Sequence, residues 1–312
     1  MRKLILLSII TSAIACSSVE ENEQELSSNR IYGEYANADF QQRNEGYDYV
    51  AIRIDSLNEY YALMNISARK DKKQPSCELQ VIARLADTGL EFESVDNNII
   101  QITATPSGIS IQPKNEEASN DLNFYCSGGA TIKGEYKSTN LSSIPKEELS
   151  FPKLETEEFQ LQNINFKVQS TSNIMFNQLM VVPQGLGQDN RPVVWPIEGT
   201  VQYTEIEDLN SDGWPEVLSF IKGADKKMSA VGYSVNGGLS MSIIYLPEIT
   251  NDEAVVYGYQ KGEEIRIVET SVIRRFPIYE NGFKTKKHRQ LRYKLVNGEA
   301  ARVFKLDGVT EY

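Results

Sequence analysis

Asp208-Leu209-Asn210-Ser211-Asp212-Gly213-Trp214-Pro215-Glu216 lies between two runs, 201–206 and 217–221, that are rich in β-branched and aromatic residues. Oxygen-bearing side chains stand at alternate positions, and a glycine falls where the chain has to turn. Two strand-like runs joined by such a turn predict a loop inside an all-β domain.

The loop has two chemical readings. Against a calcium-loop pattern, Asp208, Asn210, Asp212 and Gly213 fit positions one, three, five and six, and Glu216 fits position nine. Ser219 stands where the bidentate glutamate belongs. In this reading Asp208, Asn210, Asp212 and Glu216 are candidate calcium ligands, closer to the Asp-x-Asn-x-Asp-Gly-x-x-Glu loops of β-propeller repeats and other extracellular modules. In the other reading the loop is an Asx-turn, with Asp208 and Asn210 bonding their own backbone and Gly213 at positive φ.

The β pattern extends both ways. Residues 158–312 alternate at Ile164, Phe166 and Val168, and again at Leu291, Tyr293 and Leu295. Asn236-Gly237, Asn281-Gly282 and Asn297-Gly298 mark turns between strand-like runs. No stretch of twelve residues carries a helical period, and about 150 residues suffice for one β-sandwich. Upstream, 50–54, 60–66, 78–85, 90–92, 99–103, 109–111 and 122–125 read as short antiparallel strands. Gly33-Glu34-Tyr35 and Gly134-Glu135-Tyr136 look like a pair of closing strands. Residues 31–137 are thus expected to form a small barrel or sandwich. Residues 138–157, polar and holding Pro145 and Pro152, read as a linker.

The N-terminus sets the expected compartment. Arg2-Lys3 precedes an apolar run over 4–15 too short to span a bilayer as a mature helix. It ends in Ala13-Ile14-Ala15-Cys16, which resembles the lipobox of bacterial lipoproteins. The resemblance implies a signal peptide over 1–15, lipid on Cys16, and an outer-membrane anchor facing periplasm or cell surface. The other reading is an ordinary secretory signal cleaved nearby. Residues 16–30, nearly devoid of apolar content, fit a disordered tether. Export leaves Cys77 and Cys126 as an even pair, expected to form a disulfide.

Composition narrows the function. Lys+Arg 32 against Asp+Glu 43 gives a net charge of −11. Such a surface repels nucleic acid and attracts cationic partners. His288 is the single histidine, which excludes a multi-histidine metal site and obliges any Ser-His-Asp arrangement to use it. The basic run Lys284, Lys286, Lys287, His288, Arg289, with Arg274-Arg275, reads as a solvated hairpin face or as a contact for anionic lipid or cell-wall polymer. Trp195, Trp214 and the many tyrosines read as core and cross-strand pairs or as a sugar-stacking platform.

Several pieces run in order through the second half: Asp189-Asn190-Arg191-Pro192-Val193; Asp208 to Gly213 with Pro215-Glu216-Val217; Tyr233-Ser234-Val235-Asn236; Ile244-Tyr245-Leu246-Pro247; Arg274-Arg275-Phe276-Pro277-Ile278-Tyr279; Arg289 to Leu295; and Val309-Thr310-Glu311-Tyr312. Together they resemble the periplasmic inhibitors of invertebrate-type lysozyme. The resemblance covers about half the chain and implies a β-sandwich with one loop entering the lysozyme cleft. There Ser and Tyr hydroxyls approach the two carboxyl groups on which glycoside hydrolysis depends. The corresponding loop is Gly223, Ala224, Asp225, Lys226, Lys227, Met228 and Ser229. Relatives carry a Ser-Gly-Ser-Tyr-Gly-type run there; this chain keeps a hydroxyl only at Ser229. Lys226 or Lys227 would instead bring an ammonium to the carboxylates, or both lysines are simply solvated at a hairpin tip.

The expected protein is therefore a lipid-anchored inhibitor of lysozyme without catalysis or cofactor. The alternatives are a non-catalytic envelope binding or assembly module and, third, a carboxylate-based glycosidase. The reading leaves room for a homodimer.

Overall fold

The structure, a computed structural model, describes residues 31–71, 74, 76–174, 176–249, 252–299 and 301–312. The expected signal peptide, the tether and Cys16 lie outside the described residues. The chain divides into two compact units, one ending at Phe151 and the other starting at Pro152. Among the described residues no helix is long and apolar enough to cross a membrane.

The first unit is a closed, all-antiparallel barrel of eight strands in chain order: β1 (Gly33–Ala36), β2 (Val50–Ser56), β3 (Tyr61–Ala68), β4 (Glu78–Ala86), β5 (Gly89–Glu93), β6 (Ile99–Thr105), β7 (Gly108–Pro113) and β8 (Gly134–Ser138). β1 pairs with β8, Tyr35 facing Ser138, so the two Gly-Glu-Tyr segments do close the sheet. Alternate residues such as Ile52, Ile54, Met64, Ile66, Val81 and Ile102 fill the interior. Closure removes the exposed edges that a meander of short strands otherwise presents.

Two segments depart from expectation. Residues 122–125, expected as a strand, fall mostly in the one-turn helix α1 (Asp121–Phe124). Its Asp121 carboxylate accepts from Ser94 and Asn98, and Leu122 is buried in the barrel core. Four residues, three of them apolar, are too few to carry a period of their own, so these tertiary contacts decide the conformation. The expected linker, 138–157, is packed along much of its length. Leu141 and Leu149 are buried against Phe40, Tyr49 and Ala51 on the outer barrel face, and Tyr49 donates to Glu148.

The second unit holds three four-stranded antiparallel meanders. The first sheet comprises β9 (Glu155–Leu161), β10 (Ile164–Ser170), β11 (Phe176–Gln184) and β12 (Val193–Glu198). The second comprises β13 (Thr200–Glu207), β14 (Glu216–Lys222), β15 (Met228–Asn236) and β16 (Ser240–Tyr245). The third comprises β17 (Glu264–Val268), β18 (Ser271–Glu280), β19 (Phe283–Asn297) and β20 (Arg302–Glu311); the one-turn helix α2 (Glu253–Val256) precedes it. The expected sandwich packing is present, and it has three layers. Val217, Ile221, Val231 and Val235 of the middle sheet pack on Phe166, Val181 and Ile197 of the first. Leu218, Phe220, Met228 and Ala230 pack on Phe276, Leu291 and Leu295 of the third. A strand buried on both faces reads as a continuous apolar run, which is what Val217-Leu218-Ser219-Phe220-Ile221 is.

Candidate functional site

Both sequence-predicted sites are built on β14. The 208–216 loop leads into its start, and the 223–227 connection follows its end.

In the 208–216 loop the candidate ligand oxygens face backbone donors. Asp208 Oδ1 accepts from Asp212 N–H at 3.0 Å, and Asp208 Oδ2 accepts from Gly213 N–H at 2.9 Å and from Gln162 at 3.1 Å. Asn210 Oδ1 accepts from Asp212 N–H, and Asp212 Oδ1 from Trp214 N–H. Gly213 takes φ 88° and Ser211 φ 58°. This is an Asx-turn array in which side-chain oxygens satisfy the amides of a tight reversal.

The remaining charge is met by arginine. Arg302, at the start of β20, donates from Nη2 to Asp212 Oδ2 at 2.6 Å and from Nη1 to Ser234 Oγ, Val235 O and Asn236 Oδ1. Ser234 in turn donates to Glu216 Oε1 at 2.6 Å, and Leu209 N–H donates to Glu216 Oε2. Glu216 is fully buried, and desolvation raises its pKa to about 7 despite these two donors. Among the described residues no group of three or more His, Cys, Asp or Glu side chains is placed to hold a metal. The four residues present thus do not fit a calcium cage; their oxygens are engaged by amides, Ser234 and a guanidinium.

The 223–229 segment divides into a tip and a root. Gly223 N–H bonds Lys227 O and Lys226 N–H bonds Gly223 O, closing a tight connection in which Lys226 adopts φ 65°. Ala224, Asp225 and Lys226 are exposed at the tip. Met228 and Ser229 already belong to β15; Met228 is buried in the core and Ser229 is exposed. Charged neighbours hold the tip. Lys261 donates to Asp225 Oδ2 at 2.7 Å, and Asp225 Oδ1 accepts from Lys227 N–H, so the Asp225 carboxyl is held below its usual range. Lys227 Nζ lies 2.8 Å from Glu248, whose carboxyl it likewise lowers. Lys226 makes no ion pair among the described residues.

Beneath the tip lies a buried polar cluster. Glu263 accepts from Met228 N–H and from the Tyr259 hydroxyl, and burial followed by that carboxylate pushes the phenol far above its usual range. Arg274, 1% exposed, donates to Pro247 O and lies 5.8 Å from the Tyr293 ring centre. Lys261, Glu248, Glu263 and Arg302 were not singled out from sequence. They join the site across 20 to 90 positions of chain, and no local spacing marks them.

Elsewhere, Cys77 and Cys126 form the expected disulfide, just ahead of β4 and just after α1. Trp214 packs against the core between the first two sheets, and Trp195 is 43% exposed. No family model and no curated protein matches this chain.

Proposed function

We propose that the protein inhibits lysozyme by seating the 223–227 tip of the middle sheet in the enzyme's cleft, with Lys226 as the group presented to the catalytic carboxylates. The observation carrying this reading is the asymmetry of the two lysines. Lys227 is engaged by Glu248, whereas Lys226 projects at positive φ from a tip fixed by Lys261–Asp225 and the Gly223–Lys227 bond. An ammonium carried on a tip whose backbone is already fixed binds a carboxylate pair with less ordering of its own loop. The acidic net charge favours approach to a cationic enzyme.

This reading keeps the resemblance to the periplasmic inhibitors of invertebrate-type lysozyme and replaces their hydroxyl contacts with a charge-assisted one. It carries with it the lipoprotein anchor on the bacterial outer membrane. The test is inhibition of chicken-, goose- and invertebrate-type lysozymes by the intact protein and by a variant with 224–226 replaced by glycines. Inhibition of at least one type, lost in the variant, is the expected result. No inhibition of any type overturns the proposal.

A further inference from the structure

The third sheet of the second unit gathers positive charge on its outer face, although the chain is acidic overall. Along β19, alternate residues Lys284, Lys286, His288, Gln290, Arg292 and Lys294 share one face, opposite the buried set Leu291, Tyr293 and Leu295. Lys284 to His288 spans only two residues of β18, Tyr279 to Pro277, so at about 3.3 Å per residue the ridge runs roughly 26 Å. Arg275 of β18 faces Gln290, and Lys305 of β20 faces Lys294. Arg266 of β17, one strand further out, faces Ile273.

Seven cations on this face meet two carboxylates. Glu264 pairs with Arg275 at 2.7 Å and Asp307 with Arg292 at 2.7 Å; Lys294 is 4.0 Å from Asp307. Lys284, Lys286, Arg266 and Lys305 have no ion-pair partner among the described residues, and all four are exposed. Neutral groups lie between the charges. Gln290 faces Thr310, and the Tyr312 ring stacks on His288 with centroids 6.1 Å apart while its hydroxyl accepts from Arg275.

We infer that this face binds an extended acidic polysaccharide lying along β19. A ridge of four cations on a single strand, Lys284 and Lys286 unpaired and Arg292 and Lys294 sharing Asp307, matches a linear polyanion that repeats its charge along its own chain. The interleaved amide, hydroxyl and ring suit the hydroxyls and apolar faces of sugars. A lipid surface fits less well, because it requires large apolar side chains projecting with the cations. Exposed Phe283 faces Glu280 and is one residue out of step with Lys284, so it belongs to the opposite face of the hairpin. Single-stranded nucleic acid requires a platform of several stacking rings; here Tyr312 is exposed and Tyr279, which faces Lys284, is half-buried. The inference is independent of the 223–227 tip.

The test measures binding of the intact protein to heparin as a sulfated glycan and to polygalacturonate as a carboxylated one. Neutral dextran, DNA and phosphatidylglycerol vesicles serve as comparison, all at about 0.15 M salt. The expected result is binding to at least one acidic glycan and none to dextran. Combined Lys284→Ala, Lys286→Ala and Lys294→Ala should then lower affinity at least about tenfold, with the circular dichroism of the parent retained. Single Lys286→Ala, at an exposed position, should lower it about twofold to threefold and covers misfolding of the triple variant. Failure to bind either glycan, equal affinity of parent and both variants, or equally tight binding of DNA or vesicles would overturn the inference.

Discussion

Arg302 and Asp212 are joined by a 2.6 Å hydrogen-bonded ion pair across 90 positions of sequence. The same guanidinium reaches Ser234, Val235 and Asn236, so the start of the last strand is fixed to the loop that opens β14 and to β15. It places a fixed positive charge beside a loop whose sequence resembles a cation cage.

Removing that guanidinium should loosen the second unit. Arg302→Ala leaves Asp212 without its counter-charge, and the expected loss is about 2 kcal/mol, reduced from a fully buried pair because Asp212 is partly exposed. Arg302→Lys should recover only part of it, since an ammonium cannot span the same set of acceptors. Urea titration of the three proteins measures both effects; an unchanged midpoint in Arg302→Ala contradicts the assigned role.

Calcium should have no effect on the parent protein. With Asp208, Asn210 and Asp212 engaged by Asp212, Gly213 and Trp214 amides, millimolar calcium is expected to leave the melting temperature unchanged. A rise in melting temperature with calcium, absent in Asp208→Ala, contradicts the Asx-turn reading.

Glu216 makes stability depend on pH. Its folded pKa, about 7, lies above the ordinary carboxyl value of 4.5. The folded protein therefore holds a proton that the unfolded chain releases. The group's contribution is fully present below the unfolded pKa and is lost as pH rises toward and through 7. Glu216→Gln should match the parent at about pH 4 and exceed it by up to about 3 kcal/mol at pH 8. Chemical denaturation across that range follows the difference; a gap that does not widen with pH removes Glu216 as the cause.

The disulfide closes a 49-residue separation in the barrel. In the chain-entropy picture a loop of that size contributes ~4 kcal/mol. Cys77→Ala with Cys126→Ala is expected to lower the barrel's unfolding midpoint by that order, read by denaturant titration without reductant.

Within the hairpin the two lysines should separate. Lys226→Ala is expected to weaken lysozyme inhibition about tenfold to a hundredfold, the range of a lost charge-assisted hydrogen bond. Lys227→Ala, which loses a partly exposed contact to Glu248, should change it less than about threefold. Equal losses from both would assign the effect to tip geometry and remove Lys226 from the contact.

How much of this was legible from sequence depends on the range of the cause. The Ile164-Phe166-Val168 and Leu291-Tyr293-Leu295 alternations report which face of a strand is buried, and each is a core strand. Asn236-Gly237 and Asn281-Gly282 report turn conformations that glycine reaches cheaply, and each joins two paired strands. Residues 122–125 misled because a stretch of four residues is too short to carry a period. The packing of Leu141 and Leu149 was hidden by the polar residues around them.

The sequence by itself determined the all-β class, the turns, the paired cysteines and the two closing strands of the barrel. These follow from backbone preferences and side-chain alternation within a few residues. Only the tertiary structure decided that the second unit has three layers, that Arg302 meets Asp212, that Lys227 is engaged while Lys226 is exposed, and that one sheet face collects the cations. Each depends on which strands become neighbours in register. That is set by burial summed over whole sheets, a quantity no local stretch of sequence contains.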